Sequence, residues 1–155
     1  MVIEGVIIVV LVAIAYEDIR FRLVRIILFP VLATVLILDR IYMISSWVLV
    51  INIIVNLLYL CLLLGLAVLY IKLRKRGTKF SFRQSIGLGD LFFLGVLACW
   101  FDPVNFIVFI TVSFVVSLCL HLTFIRYSQY YGAKETIPLA GFQSLCFLVV
   151  FVVNL

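Results

Sequence analysis

Long apolar stretches without any aspartate, glutamate, lysine or arginine constrain this chain more than any other feature. They cover residues 6–14, 47–71 and 104–125. Lipid admits only backbones whose N–H and C=O groups are all paired internally, which means α-helices or closed barrels. Barrel strands alternate apolar and polar residues, whereas these stretches are continuous. The sequence therefore predicts membrane-spanning helices.

Composition extends this prediction to the whole chain. Of the 155 residues, 67% are hydrophobic and 12% are charged, whereas a soluble domain is about half apolar and a quarter charged. No room is left for a soluble domain, so we expect one membrane-embedded domain over 1–155. Its predicted class is all-α, a polytopic bundle of about six transmembrane helices. The expected spans are 2–16, 21–38, 46–71, 86–101, 104–125 and 138–155.

The basic residues predict the orientation of the spans. With six spans, the loops at 17–25, 72–85 and 126–137 share one face of the membrane, and they hold eleven of the twelve lysines and arginines. Only Arg40 falls on the opposite face. Because cytoplasmic loops carry the excess of Lys and Arg, we expect these loops in the cytoplasm and both termini outside.

Two acids stand apart from the other charges because they fall inside or beside apolar spans. Asp90 closes the run Gly87-Leu88-Gly89-Asp90, about four residues or ~6 Å into the fourth span. Asp18 ends the first span at the same expected depth. A carboxylate inside a membrane is costly and usually marks function. Since glycine has no side chain, we expect Gly87 and Gly89 to let another backbone come close to Asp90.

Two interpretations of these acids remain open at this point. In the structural one, Asp18 forms a salt bridge with Arg22, four residues on, and Asp90 binds a polar residue of another helix. In the functional one, the two carboxyls lie a few ångströms apart and share one proton. The ionised carboxyl takes a proton from water, and the protonated one donates to the carbonyl under attack. Such a reaction needs no metal or organic cofactor.

Other polar residues have simpler interpretations. Asn52 and Asn56 share a face of the third span, and we expect them to tie helices together. His121 is expected to be a packed histidine bonded to a backbone group. Asp39 and Asp102 are expected to be solvated residues in turns.

The cysteines and the basic loops exclude several classes of site. The cysteines form no CxxC pair, so we expect buried apolar residues rather than a zinc site or disulfides. The loop at 72–83 either only fixes topology or binds anionic lipid or an acidic partner. Outside the predicted spans, aromatic and basic residues do not interleave, so the sequence gives no indication of a nucleic-acid partner. The cysteines are Cys61, Cys99, Cys119 and Cys146.

The two acids lie in motifs that also occur, in the same order, in one family of membrane proteases. The stretches concerned are Tyr16-Glu17-Asp18-Ile19-Arg20-Phe21-Arg22, Gly87-Leu88-Gly89-Asp90 and Ile137-Pro138-Leu139-Ala140. They resemble the type IV prepilin peptidases, which are GxGD-type intramembrane aspartic proteases with six helices. That family has an Asp and a basic patch after its first helix, a basic loop before Gly-x-Gly-Asp, and often an Ile-Pro segment opening its last helix. The resemblance covers nearly the whole chain.

The resemblance implies an aspartic endopeptidase with Asp18 and Asp90 as the catalytic pair. Its substrate would be the basic leader of a prepilin or pseudopilin-like protein, cut at the cytoplasmic face of a prokaryotic inner membrane during pilus assembly or protein secretion. The chain resembles the short form of the family, so cleavage without N-methylation is expected. It departs from the family at residues 23–26, where Ile-Pro-Asn is usual, and at Phe92, where Lys is frequent.

Two other functions fit the same residues. A non-catalytic membrane subunit of a pilus or secretion assembly would keep the fold without the activity. A small proton-coupled transporter would use Asp90 to bind a cation. Transporter halves often show internal repeats, and the sequence contains none that we can detect.

Overall fold

The computed structural model describes residues 2–21, 23–74, 87–127 and 139–153. Within those ranges the regular secondary structure is entirely helical, which confirms the predicted all-α class. The six helices are α1 (Val2–Phe21), α2 (Leu28–Met43), α3 (Ser46–Arg74), α4 (Leu88–Leu97), α5 (Pro103–Tyr127) and α6 (Leu139–Val153).

The first two helices differ from the expected spans at the turn that joins them. α1 continues to Phe21, so Asp18 lies on the helix rather than after its end. α2 begins at Leu28, because a turn precedes it in which the Leu28 N–H donates to the Arg25 carbonyl at 3.0 Å. Glu17 stabilises this turn, since its carboxylate accepts from the Arg25 backbone N–H at 3.0 Å.

α4 ends at Leu97, although the apolar run that predicted it continues to residue 101. A tight turn follows, in which N–H groups donate to carbonyls three residues earlier. The end of a helix leaves carbonyls without intrahelical partners. Here Asn56 of α3 donates to the carbonyls of Ala98 and Phe101, at 3.0 and 2.7 Å. The predicted role of Asn56 in tying helices together is therefore confirmed.

Two helices are long and apolar enough to cross a membrane, through their segments Ser46–Tyr70 and Pro103–Leu120. The interior helix of a soluble protein is apolar too, but it is mostly buried. Only 17% and 28% of the most apolar stretches of these two segments are buried in the bundle. Exposed apolar surface of this extent is typical of contact with lipid or a partner. The expectation of six spans stays a prediction.

The core forms where α1 packs between α2 and α6, with α4 and α5 completing it. On α1 the buried residues Ile7, Leu11 and Ile14 recur at i, i+4 and i+7, which is the spacing of one helix face. At one end of the bundle, ring contacts join the α4–α5 turn to α5 and α6. This aromatic cluster consists of Trp100, Phe101, Phe109, Phe147 and Phe151.

Asn56 is expected to contribute more to stability than Asn52, one turn earlier on α3. Asn56 is 1% exposed and binds two carbonyls, whereas Asn52 is partly exposed and donates to Asp102 at 3.0 Å. Asn56→Ala leaves buried acceptors unsatisfied, which costs about 1–3 kcal/mol. Thermal unfolding in detergent measures this loss, with Asn52→Ala as the matched control. Equal melting temperatures for the two variants would contradict the assignment.

Candidate active site

The two acids that the sequence singled out, Asp18 and Asp90, meet at the first turn of α6. Asp18 on α1 accepts a hydrogen bond from the Gly141 N–H, with Oδ2 and N 2.6 Å apart. Asp90 on α4 accepts one from the Ala140 N–H, with Oδ1 and N 2.8 Å apart. Successive amide nitrogens of a helix are about 3 Å apart, so the two bonded oxygens are separated by no more than about 8.5 Å.

We refer to Asp18 and Asp90 as the acid pair. The start of α6 stabilises the negative charge of such carboxylates. The first four N–H groups of a helix have no intrahelical partner, and the helix dipole gives that end a partial positive charge. Each carboxylate satisfies one of these N–H groups and is in turn stabilised by it. The arrangement therefore caps α6 and holds two carboxyls from different helices at one point.

Asp18 reaches this point because it lies on the buried face of α1. It follows Ile14 by four residues and continues the series of Ile7, Leu11 and Ile14. Residues three and four apart share a helix face, so Asp18 is directed into the bundle. Its exposure is only 8%.

Asp90 lies in the first turn of α4, nearer the helix start than the sequence predicted, because α4 begins at Leu88. Gly87 immediately precedes the helix. A Cβ at Gly87 would lie 2.6 Å from Asp90 Oδ2, closer than real Cβ atoms approach other atoms. Gly87 therefore leaves room for the Asp90 carboxylate itself.

The sequence predicted that another backbone comes close to Asp90, and the Ala140 N–H does so at 2.8 Å. Among the described residues, the atoms nearest to a Cβ at Gly87 or Gly89 belong to side chains rather than to another backbone. At Gly89 the nearest atom is Cζ of Phe29, at an ordinary contact distance of 4.0 Å. The closest packing is at Gly141, where a Cβ would meet two side chains of α1, Asp18 Oδ2 at 3.1 Å and Ile19 Cγ1 at 3.0 Å.

Ala140 and Gly141 are the functional residues that sequence analysis missed. Their contribution is made by backbone N–H groups, which every residue except proline carries, so residue type gives little indication of it. The sequence indicates their role only through their small size and their position directly after Ile137-Pro138-Leu139, the stretch that opens the predicted last span. Small residues at that position let α1 approach α6 closely.

Gly141→Ala is expected to destabilise the protein, because its methyl group would press on Asp18 and Ile19. Overpacking of this kind costs about 1–3 kcal/mol. Gly95→Ala is the matched control, since a Cβ at Gly95 meets nothing within 4 Å and alanine favours a helix. Thermal unfolding of both variants in the same detergent is the measurement. The crowding at α6 is disproved if Gly141→Ala unfolds at the temperature of Gly95→Ala.

Two predictions near the acid pair fall on residues that the structure does not describe fully. Arg22, the expected salt-bridge partner of Asp18, lies outside the described residues. The backbone of His121 lies within α5, but its side chain is not described. Beside Asp18, the half-buried Glu17 pairs with Arg25, with Oε1 and Nε 3.3 Å apart.

The acids at the opposite end of the bundle are not simply solvated, contrary to expectation. Asp39 Oδ2 accepts from the Trp100 indole N–H at 3.0 Å. Asp102 pairs with Arg40 at 3.4 Å and accepts from Asn52 at 3.0 Å. These contacts arise because the turn after α4 folds against α2 and α3, which brings its polar groups within reach of theirs.

A cavity of about 570 Å³ lies at that same end. It is lined by Glu4, Asp39, Arg40, Trp100 and Asp102 together with apolar residues of α5 and α6. Glu4 and Asp18 are fourteen residues apart on α1, which corresponds to about 21 Å along a helix. The cavity is therefore separate from the acid pair.

The cysteines differ in part from the prediction that all four are buried. Cys61 and Cys119 are exposed on α3 and α5, and Cys99 and Cys146 are partly buried. All four are free thiols. Among the described residues, no three His, Cys, Asp or Glu side chains gather as a metal site would require.

Comparison with known proteins gives no match: no protein-family model, no curated protein and no solved structure matches this chain.

Proposed function

We propose that this chain is an intramembrane aspartic endopeptidase in which Asp18 and Asp90 activate water. One observation carries the proposal: carboxyls from two separate helices are bound by adjacent N–H groups at the start of a third helix. Paired carboxyls that share a proton are the working parts of aspartic proteases. The supporting glycine is Gly87, which leaves space for Asp90.

The reaction that such a pair performs is direct hydrolysis. The ionised carboxylate takes a proton from water as the water oxygen bonds to the peptide carbonyl carbon. The protonated carboxyl gives its proton to the carbonyl oxygen, forming a tetrahedral intermediate. Collapse of the intermediate breaks the C–N bond: the leaving nitrogen takes a proton from the first acid, and one hydroxyl of the intermediate returns its proton to the second acid, which restores both carboxyls. Each acid commits one oxygen to an α6 amide.

The substrate class comes from the resemblance of the motifs to type IV prepilin peptidases. It would be a prepilin or pseudopilin-like protein with a short basic leader, cut at the cytoplasmic face of an inner membrane. The apolar outer surfaces of α3 and α5 support a membrane location. Water is the only co-substrate, and no cofactor is part of the proposal.

Asp18→Asn and Asp90→Asn are each expected to lower leader cleavage by at least about 100-fold, because neither amide can exchange the proton that the reaction needs. Asparagine keeps the acceptor oxygen, so both variants should stay folded. The measurement is an immunoblot of a co-expressed substrate that carries a short basic leader, a glycine and an apolar helix. Asp102→Asn, at the far end of the bundle, is the matched control and should cleave normally.

The rival functions give different results in the same system. Full cleavage by either folded asparagine variant would refute the catalytic pair. Absence of cleavage by the wild type would instead favour a non-catalytic assembly subunit. Cation uptake into proteoliposomes that is lost in Asp90→Asn, again without cleavage, would favour a transporter.

The proposed orientation places the acid pair at the cytoplasmic face, and two exposed residues test it. Leu23, near the acid pair, is 78% exposed, and Met43, at the opposite end, is 72% exposed. In a background without the native cysteines, a membrane-impermeant maleimide should label Met43→Cys in intact spheroplasts. It should label Leu23→Cys only after permeabilisation. The reverse pattern would mean that the acids face outward.

A further inference from the structure

Helices α5 and α6 run antiparallel in a register that several contacts define. Gln143 Nε2 donates to Ser113 Oγ at 3.4 Å. Four residues away on each helix, the rings of Phe109 and Phe147 have centroids 6.0 Å apart. The same register, extended one turn the other way, sets Ser117 level with the first turn of α6. That turn carries the N–H groups that bind the acid pair.

The interface between these helices contains polar side chains that are almost completely buried. Ser113, Ser117, Gln143 and Ser144 are each at most 1% exposed. Ser113 donates to the Ile110 carbonyl at 3.0 Å, and Ser144 donates to the Gly141 carbonyl at 2.8 Å. These two serines are thus satisfied within their own helices.

Two atoms of this interface are not satisfied by any of the described residues. They are the hydroxyl oxygen of Ser117 and the amide oxygen Oε1 of Gln143. A buried polar group without a partner costs about 1–3 kcal/mol. The two groups are complementary to a third molecule, because the amide oxygen accepts a hydrogen bond and the hydroxyl both donates and accepts.

We propose that Ser117 and Gln143 form a buried water site between α5 and α6, level with the turn that binds the acid pair. A buried water needs two to four polar partners, and these two side chains supply the minimum. Two hydrogen bonds of about 2.8 Å let one water bridge oxygens up to about 5.5 Å apart. The bond to Ser113 orients the Gln143 amide for this bridge.

The water site joins the start of α6 to α5, just as the acid pair joins it to α1 and α4. The first turn of α6 is then held from both sides. The site rests on the buried atoms alone, so it goes beyond the proposed peptidase function and stands or falls separately from it.

The direction in which two single substitutions shift the melting temperature tests the site. If a water bridges the two groups, Ser117→Ala and Gln143→Met each leave one buried group unpaired. Each should then lower the melting temperature in detergent by about 2–12 °C. The double variant removes the Ser117 hydroxyl that Gln143→Met leaves unpaired, so it should unfold at a higher temperature than Gln143→Met alone.

Ser144→Ala is the matched control, because this buried hydroxyl bonds only within α6 among the described residues. It should shift the melting temperature less than Ser117→Ala. If no water is bound, Ser117→Ala removes an unpaired polar group, whereas Gln143→Met still loses the bond from Gln143 Nε2 to Ser113. A melting temperature that is unchanged or raised in Ser117→Ala would therefore overturn the proposal.

A direct measurement keeps the proposal testable if a variant fails to fold. In water-edited solid-state NMR of the wild type in bilayers, magnetisation should pass rapidly from water to the side-chain nitrogen of Gln143. Ser117→Ala should slow this transfer. If the side-chain signal of Gln143 in the wild type receives no magnetisation from water, the site is excluded, whatever the result of the peptidase assay.

Discussion

Two neighbouring N–H groups at the start of the last helix organise the acid end of this bundle. They belong to Ala140 and Gly141, and each is bound by a carboxylate from a different helix. An unpaired N–H in an apolar environment costs several kcal/mol, so these bonds strongly favour one arrangement of α1, α4 and α6. The positions of Asp18 and Asp90 relative to each other follow from that arrangement.

The opposite end of the bundle is held by a different set of polar contacts. There the turn after α4 is bound by Asn56 and Arg40, and Asp102 binds both Arg40 and Asn52. Between the two ends the core is mostly apolar, and the bond from Gln143 to Ser113 adds a polar contact between α5 and α6. In lipid, helices gain little from the hydrophobic effect when they associate, and packing and hydrogen bonds take over. The polar groups at the two ends therefore determine how the helices align, and the aromatic cluster supplies packing.

The helices and the burial of Asp18 could be predicted from the sequence, because both depend on local periodicity. The apolar runs indicated each helix, and the four-three-four spacing of Ile7, Leu11, Ile14 and Asp18 places the acid on a core face. The early end of α4 could not be predicted in this way, because it depends on Asn56 from a distant helix. The roles of Ala140 and Gly141 were hidden for a similar reason, since a backbone N–H has no signature in residue type.

The acid pair is more than a helix cap requires. A single uncharged serine, threonine or asparagine caps a helix well, whereas two nearby carboxylates repel each other when both are ionised. The positive end of α6 favours one negative charge at this point, and the repulsion opposes a second. In the proposed peptidase these opposing effects are met by a pair that holds one proton and one charge, which is the state that two-acid activation of water needs. The two N–H bonds account for both carboxylates in stability, and the proposed peptide hydrolysis would use the same two groups, one as the base and the other as the acid.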